Sequence, residues 1–178
     1  MEGIVLKKKI IQLLRPKLFV RSITDVTPDI LDSFHIKGII IDLDNTLTPW
    51  QSEFLAPDNI RWLETIKGHG FRVCLVSNNK GERINKIASI LDIPFVAKAS
   101  KPRRRAFLKG MEVIGTKPQE TAVIGDQVFT DVLGGNRLGL YTILVVPLSS
   151  YEFVGTRLMR IPERAVLNLI RRPNKLWA

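Results

Sequence analysis

The sequence predicts a doubly wound, Rossmann-like α/β fold around a five-stranded parallel sheet. Three observations carry this. Short apolar runs without polar alternation recur along the middle of the chain, as strands buried on both faces require. Stretches with helical apolar spacing separate them. Three of the runs end in polar clusters, and in doubly wound sheets ligands bind beyond the C-terminal strand ends.

In chain order, GIIID (38–42) is the first buried strand. PDNIRWLETIKGHG (57–70) is a helix with Pro57 in its first turn and Gly68 and Gly70 at its end. FRVCLVS (71–77) is the second strand. GERINKIASILD (81–92) is a helix whose Ile84, Ile87, Ala88 and Leu91 share a face. IPFVA (93–97) is a short strand and RRRAFLKGMEVIG (103–115) a helix. TAVIG (121–125) is a buried strand, TDVLGGNRLG (130–139) a short glycine-rich helix, and YTILVV (141–146) the last strand.

A chain of 178 residues fits one domain, with a core over about 36–146. The single cysteine, Cys74, excludes an internal disulfide and reads as a small core residue in a reducing, cytoplasmic setting. No apolar stretch approaches the roughly 18 residues that span a bilayer, and the start does not read as a cleaved signal peptide. The net charge of +10 lies at the ends. Residues 1–22 hold six basic groups against Glu2, and residues 156–178 hold six against Glu163. The other basic and acidic residues balance, so the ends point to an anionic surface, membrane or nucleic acid.

Chemistry concentrates at the strand ends. The first strand runs into Asp42-Leu43-Asp44-Asn45-Thr46, the second into Ser77-Asn78-Asn79, and the fourth into Asp126, with Thr130 and Asp131 behind it. Lys101 follows the weak third strand. Carboxylates gathered on one sheet edge repel unless a cation neutralises them, and hard oxygen ligands suit Mg²⁺. Lys101 adds a charge suited to a phosphate oxygen. A carboxylate nucleophile, a second carboxylate, a metal and a lysine compose a phosphoryl-transfer site working through an aspartyl-phosphate. Taken alone, the same residues have plainer readings: DLDNT as an Asx-turn, Ser77 and Asn79 as helix caps. Trp50 either lines the entrance or covers the sheet edge.

DLDNT, SNN, the Lys101-Pro102 pair and GDQVFTD, in this order, resemble the four motifs of the haloacid dehalogenase superfamily. The resemblance implies Asp42 as nucleophile and Asp44 as the acid and base. It implies Mg²⁺ held by Asp42, the backbone carbonyl of Asp44 and Asp126, and phosphate binding by Ser77, Asn78 and Lys101. Thr46 and Asp131 would support the site from behind. The short spacings between the motifs leave no room for a cap domain, as in the capless subclass IIIA, so the site should be open to a large substrate.

IKGIIIDLDNTLTPW, VSNN, AKASKP and GDQVFTDVLGGNRLG further resemble the YqeG-type phosphatases, relatives of the phosphatidylglycerophosphate phosphatases. That resemblance implies conversion of phosphatidylglycerophosphate to phosphatidylglycerol by a phosphoric monoester hydrolase. Arg103, Arg104 and Arg105 either hold the lipid's second phosphate or are solvated helix charges. The basic, apolar ends either contact anionic phospholipid, with the protein peripheral on the inner face of the membrane, or pack on the domain and expose their charges. The competing expectations are a phosphatase of soluble nucleotide or sugar phosphates and a nucleic-acid-binding or end-processing protein, the latter disfavoured by the lack of interleaved aromatic platforms.

Overall fold

A computed structural model describes residues 9–149 and 154–171. Its elements are α1 (9–14), β1 (Leu18–Val20), α2 (Pro28–Ser33), β2 (Gly38–Ile41), α3 (Pro57–Gly68), β3 (Arg72–Val76), α4 (Glu82–Leu91), β4 (Phe95–Val96), α5 (Arg104–Ile114), β5 (Thr121–Gly125), α6 (Leu133–Asn136), β6 (Tyr141–Val145) and α7 (Val154–Arg171). The strands form one sheet in the order β1-β6-β5-β2-β3-β4, and every pairing is parallel.

The unalternating apolar runs are buried on both faces, as a parallel sheet under two helical layers requires. Ile39, Ile41, Val73 and Leu75 meet Trp62, Leu63 and Ile66 of α3 and Ile84 and Ile87 of α4. Their neighbours Ile40, Cys74 and Val76 point the other way, toward Phe107 and Met111 of α5. Burial pushes the Cys74 thiol up to about 12, so it is an inert core group, as expected.

From β2 the chain winds outward through β3 and β4, and then returns past β2 to β5 and β6. The switch point lies between β2 and β5, where Ile41 pairs with Ile124 and the Asp42 N–H donates to the Ile124 carbonyl at 2.9 Å. Both strands end there, so Asp42 and Asp126 emerge side by side in the crevice where doubly wound sheets bind ligands.

The sheet has six strands where the sequence reading has five. The extra strand, β1, pairs Leu18 with Ile143 and Val20 with Val145 at the sheet edge. Three residues inside a basic stretch are too few to show a strand period, and the partner β6 lies more than a hundred residues away.

The described parts of the two ends pack on the domain through apolar residues. Leu14 of α1 and Ile170 of α7 share a cluster with Val128, Val132 and Leu144. Lys7, Lys8, Arg172, Lys175 and Trp177 of the expected membrane segments lie outside the described residues. No helix among the described residues is long and apolar enough to cross a membrane.

Candidate active site

The turn after β2 is built by Asn45. Its φ of 59° lies in the left-handed region, which asparagine tolerates better than most residues. The chain can therefore reverse directly after Asp44. The Asn45 N–H donates to the Thr48 carbonyl at 2.7 Å, the Leu47 N–H to Leu43 at 3.0 Å, and the Trp50 N–H to the Asn45 side-chain oxygen at 3.2 Å. Asn59 of α3 anchors the turn from beneath, donating to the Leu47 carbonyl at 2.9 Å while buried.

Asp42, Asp126 and Asp131 are all buried, and each offers a carboxylate oxygen within 4.8 Å of the others. Lys101, also buried, donates through Nζ to Asp42 Oδ1 and, at 2.7 Å, to Asp131 Oδ1. Burial pushes the Asp42 carboxyl up to about 7; Lys101 pulls it down, and Asp131 and Asp44 push it further up. Burial works against the Lys101 ammonium, but the charges and hydrogen bonds of Asp131 and Asp42 outweigh it and raise its pKa. Three carboxylates against one ammonium leave the floor of the site with a surplus of negative charge, and this group of hard oxygen donors can hold a metal ion.

Asp131 is fixed by its neighbours. Its Oδ2 accepts from the Gln127 N–H at 3.3 Å and from the Thr130 hydroxyl at 3.2 Å. A Cβ on Gly125 would stand 2.3 Å from Asp131 Cγ, so only glycine lets this carboxylate fold back over the end of β5. Asp131 was expected behind the site; its carboxylate lies in the trio itself.

Asp44 faces elsewhere. Its Oδ2 accepts from the Asn79 amide, and its Oδ1 accepts from Arg83 and, at 3.1 Å, from the Gln51 N–H. Arg83 also donates to the Ser52 carbonyl at 2.6 Å. The sequence reading did not single out Arg83. It sits in the first turn of α4, where a cation opposes the helix dipole, and that placement was the available sign of a specific partner.

Asp42, Asp44, Trp50, Ser77, Asn78, Asn79, Lys101, Gln127 and Thr130 line one cavity of about 240 Å³. Trp50 is therefore one of the cavity's lining residues. The Ser77 hydroxyl accepts from the Asn79 N–H at 3.2 Å, and the Asn78 side-chain oxygen accepts from the Lys101 N–H at 2.7 Å. Thr46 reaches Asp126 Oδ1 at 3.5 Å. Arg103, Arg104 and Arg105 are exposed, and none lines the cavity. Only a loop and α3 separate β2 from β3, and only α4 separates β3 from β4.

The loop from Gln127 to Val132 has a partner in the C-terminal helix. Glu163 of α7, buried, accepts from the N–H groups of Val128 at 2.5 Å and Phe129 at 3.3 Å.

The sequence profile of the family described as mitochondrial PGP phosphatase matches residues 4–147. The probable phosphatase YqeG of Bacillus subtilis is 45% identical over 157 residues, which cover 88% of this chain and 91% of that protein. The mitochondrial phosphatidylglycerophosphatase GEP4 of Saccharomyces cerevisiae is 28% identical over 163 residues, 79% of this chain and 86% of that one. The cobalt-bound deoxy-D-mannose-octulosonate 8-phosphate phosphatase of Haemophilus influenzae superposes with a TM-score of 0.53 at 16% identity, covering 75% and 88% of the two chains; this is a likeness of fold. The protein is a phosphatase, a phosphoric monoester hydrolase, and it belongs to the mitochondrial PGP phosphatase family.

Proposed function

We propose that the protein hydrolyses phosphatidylglycerophosphate to phosphatidylglycerol at the inner surface of a membrane, with Mg²⁺, through a phosphoaspartate on Asp42. The observation that carries the reading is the buried Asp42 carboxylate at the floor of a polar cavity, within 4.8 Å of the Asp126 and Asp131 carboxylates. The family description and the yeast relative's name support the lipid.

The donor set fits Mg²⁺, because three buried carboxylates exceed the single ammonium beside them and all donors are hard oxygens. Asp42, Asp126 and Asp131 would hold the ion, with the Asp44 carbonyl as the further ligand the family resemblance implies. Bound there, Mg²⁺ supplies positive charge for the oxygens of the transferring phosphoryl group.

The chain's own groups do the remaining work. Lys101, with the Ser77 hydroxyl and Asn78, orients the phosphoryl group over Asp42. An Asp42 oxygen forms a bond to phosphorus while the bond to the glycerol oxygen breaks, and Asp44 gives that oxygen its proton. Asp44 then takes a proton from water, whose oxygen attacks the phosphoaspartate, returning Asp42 and releasing inorganic phosphate. Arg83, Asn79 and the Gln51 N–H set the orientation of Asp44.

A cavity of about 240 Å³ takes a phosphorylated headgroup and leaves acyl chains outside. Soluble sugar or nucleotide phosphates fit the same volume, so substrate choice is the decisive measurement. Phosphate release from detergent-dispersed phosphatidylglycerophosphate is compared with a panel of soluble phosphomonoesters, each with Mg²⁺ and with chelator. The proposal expects the highest kcat/KM on the lipid and none without metal. A soluble ester outpacing an inert lipid overturns it.

A further inference from the structure

The cavity of about 240 Å³ has no room for acyl chains, so on the lipid reading they must rest against something at the opening. Single exposed apolar side chains are ordinary on a protein surface; their grouping is what carries meaning. Phe54, 63% exposed, stands in the loop whose Ser52 carbonyl is held by the same Arg83 that binds Asp44. Leu148 is exposed across the turn, its N–H donating to the Asn45 carbonyl at 3.0 Å. Val146, just past the end of β6, is exposed beside it. Met159 is exposed one helical turn before Glu163, the residue that grips the Val128–Phe129 loop.

Cations stand at the same edge. Lys80 follows Asn79, Lys98 donates its N–H to the Asn79 carbonyl at 3.0 Å, and Arg103 stands just before α5, two residues after Lys101. All three are exposed, and none is held in an ion pair with a described residue. Apolar side chains beside unpaired cations, around an uncovered polar opening, are the chemistry of a surface that sits in an anionic headgroup layer.

We infer that the catalytic rim itself, Phe54, Val146, Leu148 and Met159 with Lys80, Lys98 and Arg103, is the membrane-docking face, presenting the cavity directly to an anionic lipid bilayer. The inference rests on the lipid reading given above. It assigns docking to residues flanking the site, in addition to the basic ends. Lys80, Lys98 and Arg103, exposed and clear of ion pairs with described residues, complement an anionic bilayer and would repel the same three cations of a second copy of this chain, which selects the bilayer.

The test is co-sedimentation of the full chain with phosphatidylcholine vesicles, with and without phosphatidylglycerol. Phe54→Ser with Leu148→Ser removes apolar contact, and Lys80→Gln with Lys98→Gln removes charge. Ile90→Ser with Val113→Ser, exposed apolar residues toward the far ends of α4 and α5, is the control. Hydrolysis of p-nitrophenyl phosphate, a soluble ester, reports an intact fold and site in every variant. Wild type should bind vesicles containing phosphatidylglycerol. The apolar rim pair should lose tenfold or more in partitioning, and the lysine pair about 25-fold. The control pair should bind as wild type, and all should keep soluble-ester hydrolysis within about twofold. The inference is overturned if wild type does not bind, if the rim pairs bind as wild type, or if the control pair loses as much. It is also overturned by a dimer that the Phe54 and Leu148 changes dissolve in a protein that ignores vesicles. Failure of the lipid-substrate reading shows separately, as absent phosphate release from detergent-dispersed phosphatidylglycerophosphate.

Discussion

Asp42 and Asp44 stand one residue apart and line the same cavity, yet they belong to two differently built regions. The floor, Asp42 with Asp126, Asp131 and Lys101, is buried and carries more negative charge than it can neutralise. The wall, Asp44 with Arg83, Asn79 and the Gln51 N–H, is paired, charge against charge, near the surface. Strand geometry produces the split. Alternation would put both carboxylates on one face of a continuing strand, but β2 ends at Ile41, and Asp44 lies beyond it, held by Arg83 of α4 and by Asn79. A surplus of buried charge suits a region that must take up a cation and a nucleophilic role. A paired carboxylate suits a group that must be held ready to move one proton.

The sharpest way to break the comparison is Asp42→Asn. Removing the nucleophile should lower kcat by about 10⁴-fold or more with the fold intact by circular dichroism. Its stability should respond in the opposite sense. A carboxyl at about 7 in the folded protein and 3.8 in the unfolded chain binds more protons when folded. Its contribution is therefore favourable at low pH and is lost as pH rises from about 4 to about 7. In chelator, the Tm difference between wild type and Asp42→Asn should shift in the variant's favour across that window. A difference that does not change with pH would remove the floor's charge surplus from the account.

The wall should break more gently. Arg83→Met should lower kcat by about 10²-fold, the lower part of what positioned acid–base groups contribute, with KM within about threefold. Arg83→Lys should recover part of it. A change confined to KM would make Arg83 a substrate contact instead of the residue that orients Asp44.

Mg²⁺ should separate the two regions by stability alone. At about 100 times its Kd, an ion that binds only the folded chain adds about 2.7 kcal/mol. For a protein of this size that is about 5–11 °C in Tm. Asp126→Asn should abolish most of the gain, and Arg83→Met should leave it unchanged. Equal losses in both would mean that the floor and wall act as one charge cluster.

What the sequence made legible follows the same division. The places of Asp42, Ser77 and Asp126 were readable because each directly follows a buried apolar run, and a strand delivers its next residue to a fixed edge; Lys101 comes five residues after β4 and was placed by its motif. Arg83 was not readable, because in a helix that buries Ile84, Ile87, Ala88 and Leu91 a charged residue off that face resembles solvated surface. Asp131 was recognised, but not how near its carboxylate lies to those of Asp42 and Asp126. Its reach into the trio depends on Gly125 lacking a Cβ, a close approach that a list of residues does not display. The strand β1 was hidden because its register is set by β6, at the other end of the chain.

Glu163 offers the smallest and most discriminating change. It is the lone acid in a segment of six basic residues, and its carboxylate is buried against two backbone N–H groups of the loop that carries Asp131. Glu163→Gln keeps one acceptor oxygen and removes the charge, which should cost about 1 kcal/mol, or about 2–4 °C. If α7 only covers the domain, the loss ends there. If α7 holds the Val128–Val132 turn in place for the floor, the Mg²⁺-dependent gain in Tm should shrink and kcat should fall about threefold, with KM unchanged. Glu163→Asp, shorter by one methylene but still charged, should then recover neither. That outcome would extend the floor beyond its four charged groups to the helix that closes the chain, and leave the wall around Asp44 untouched.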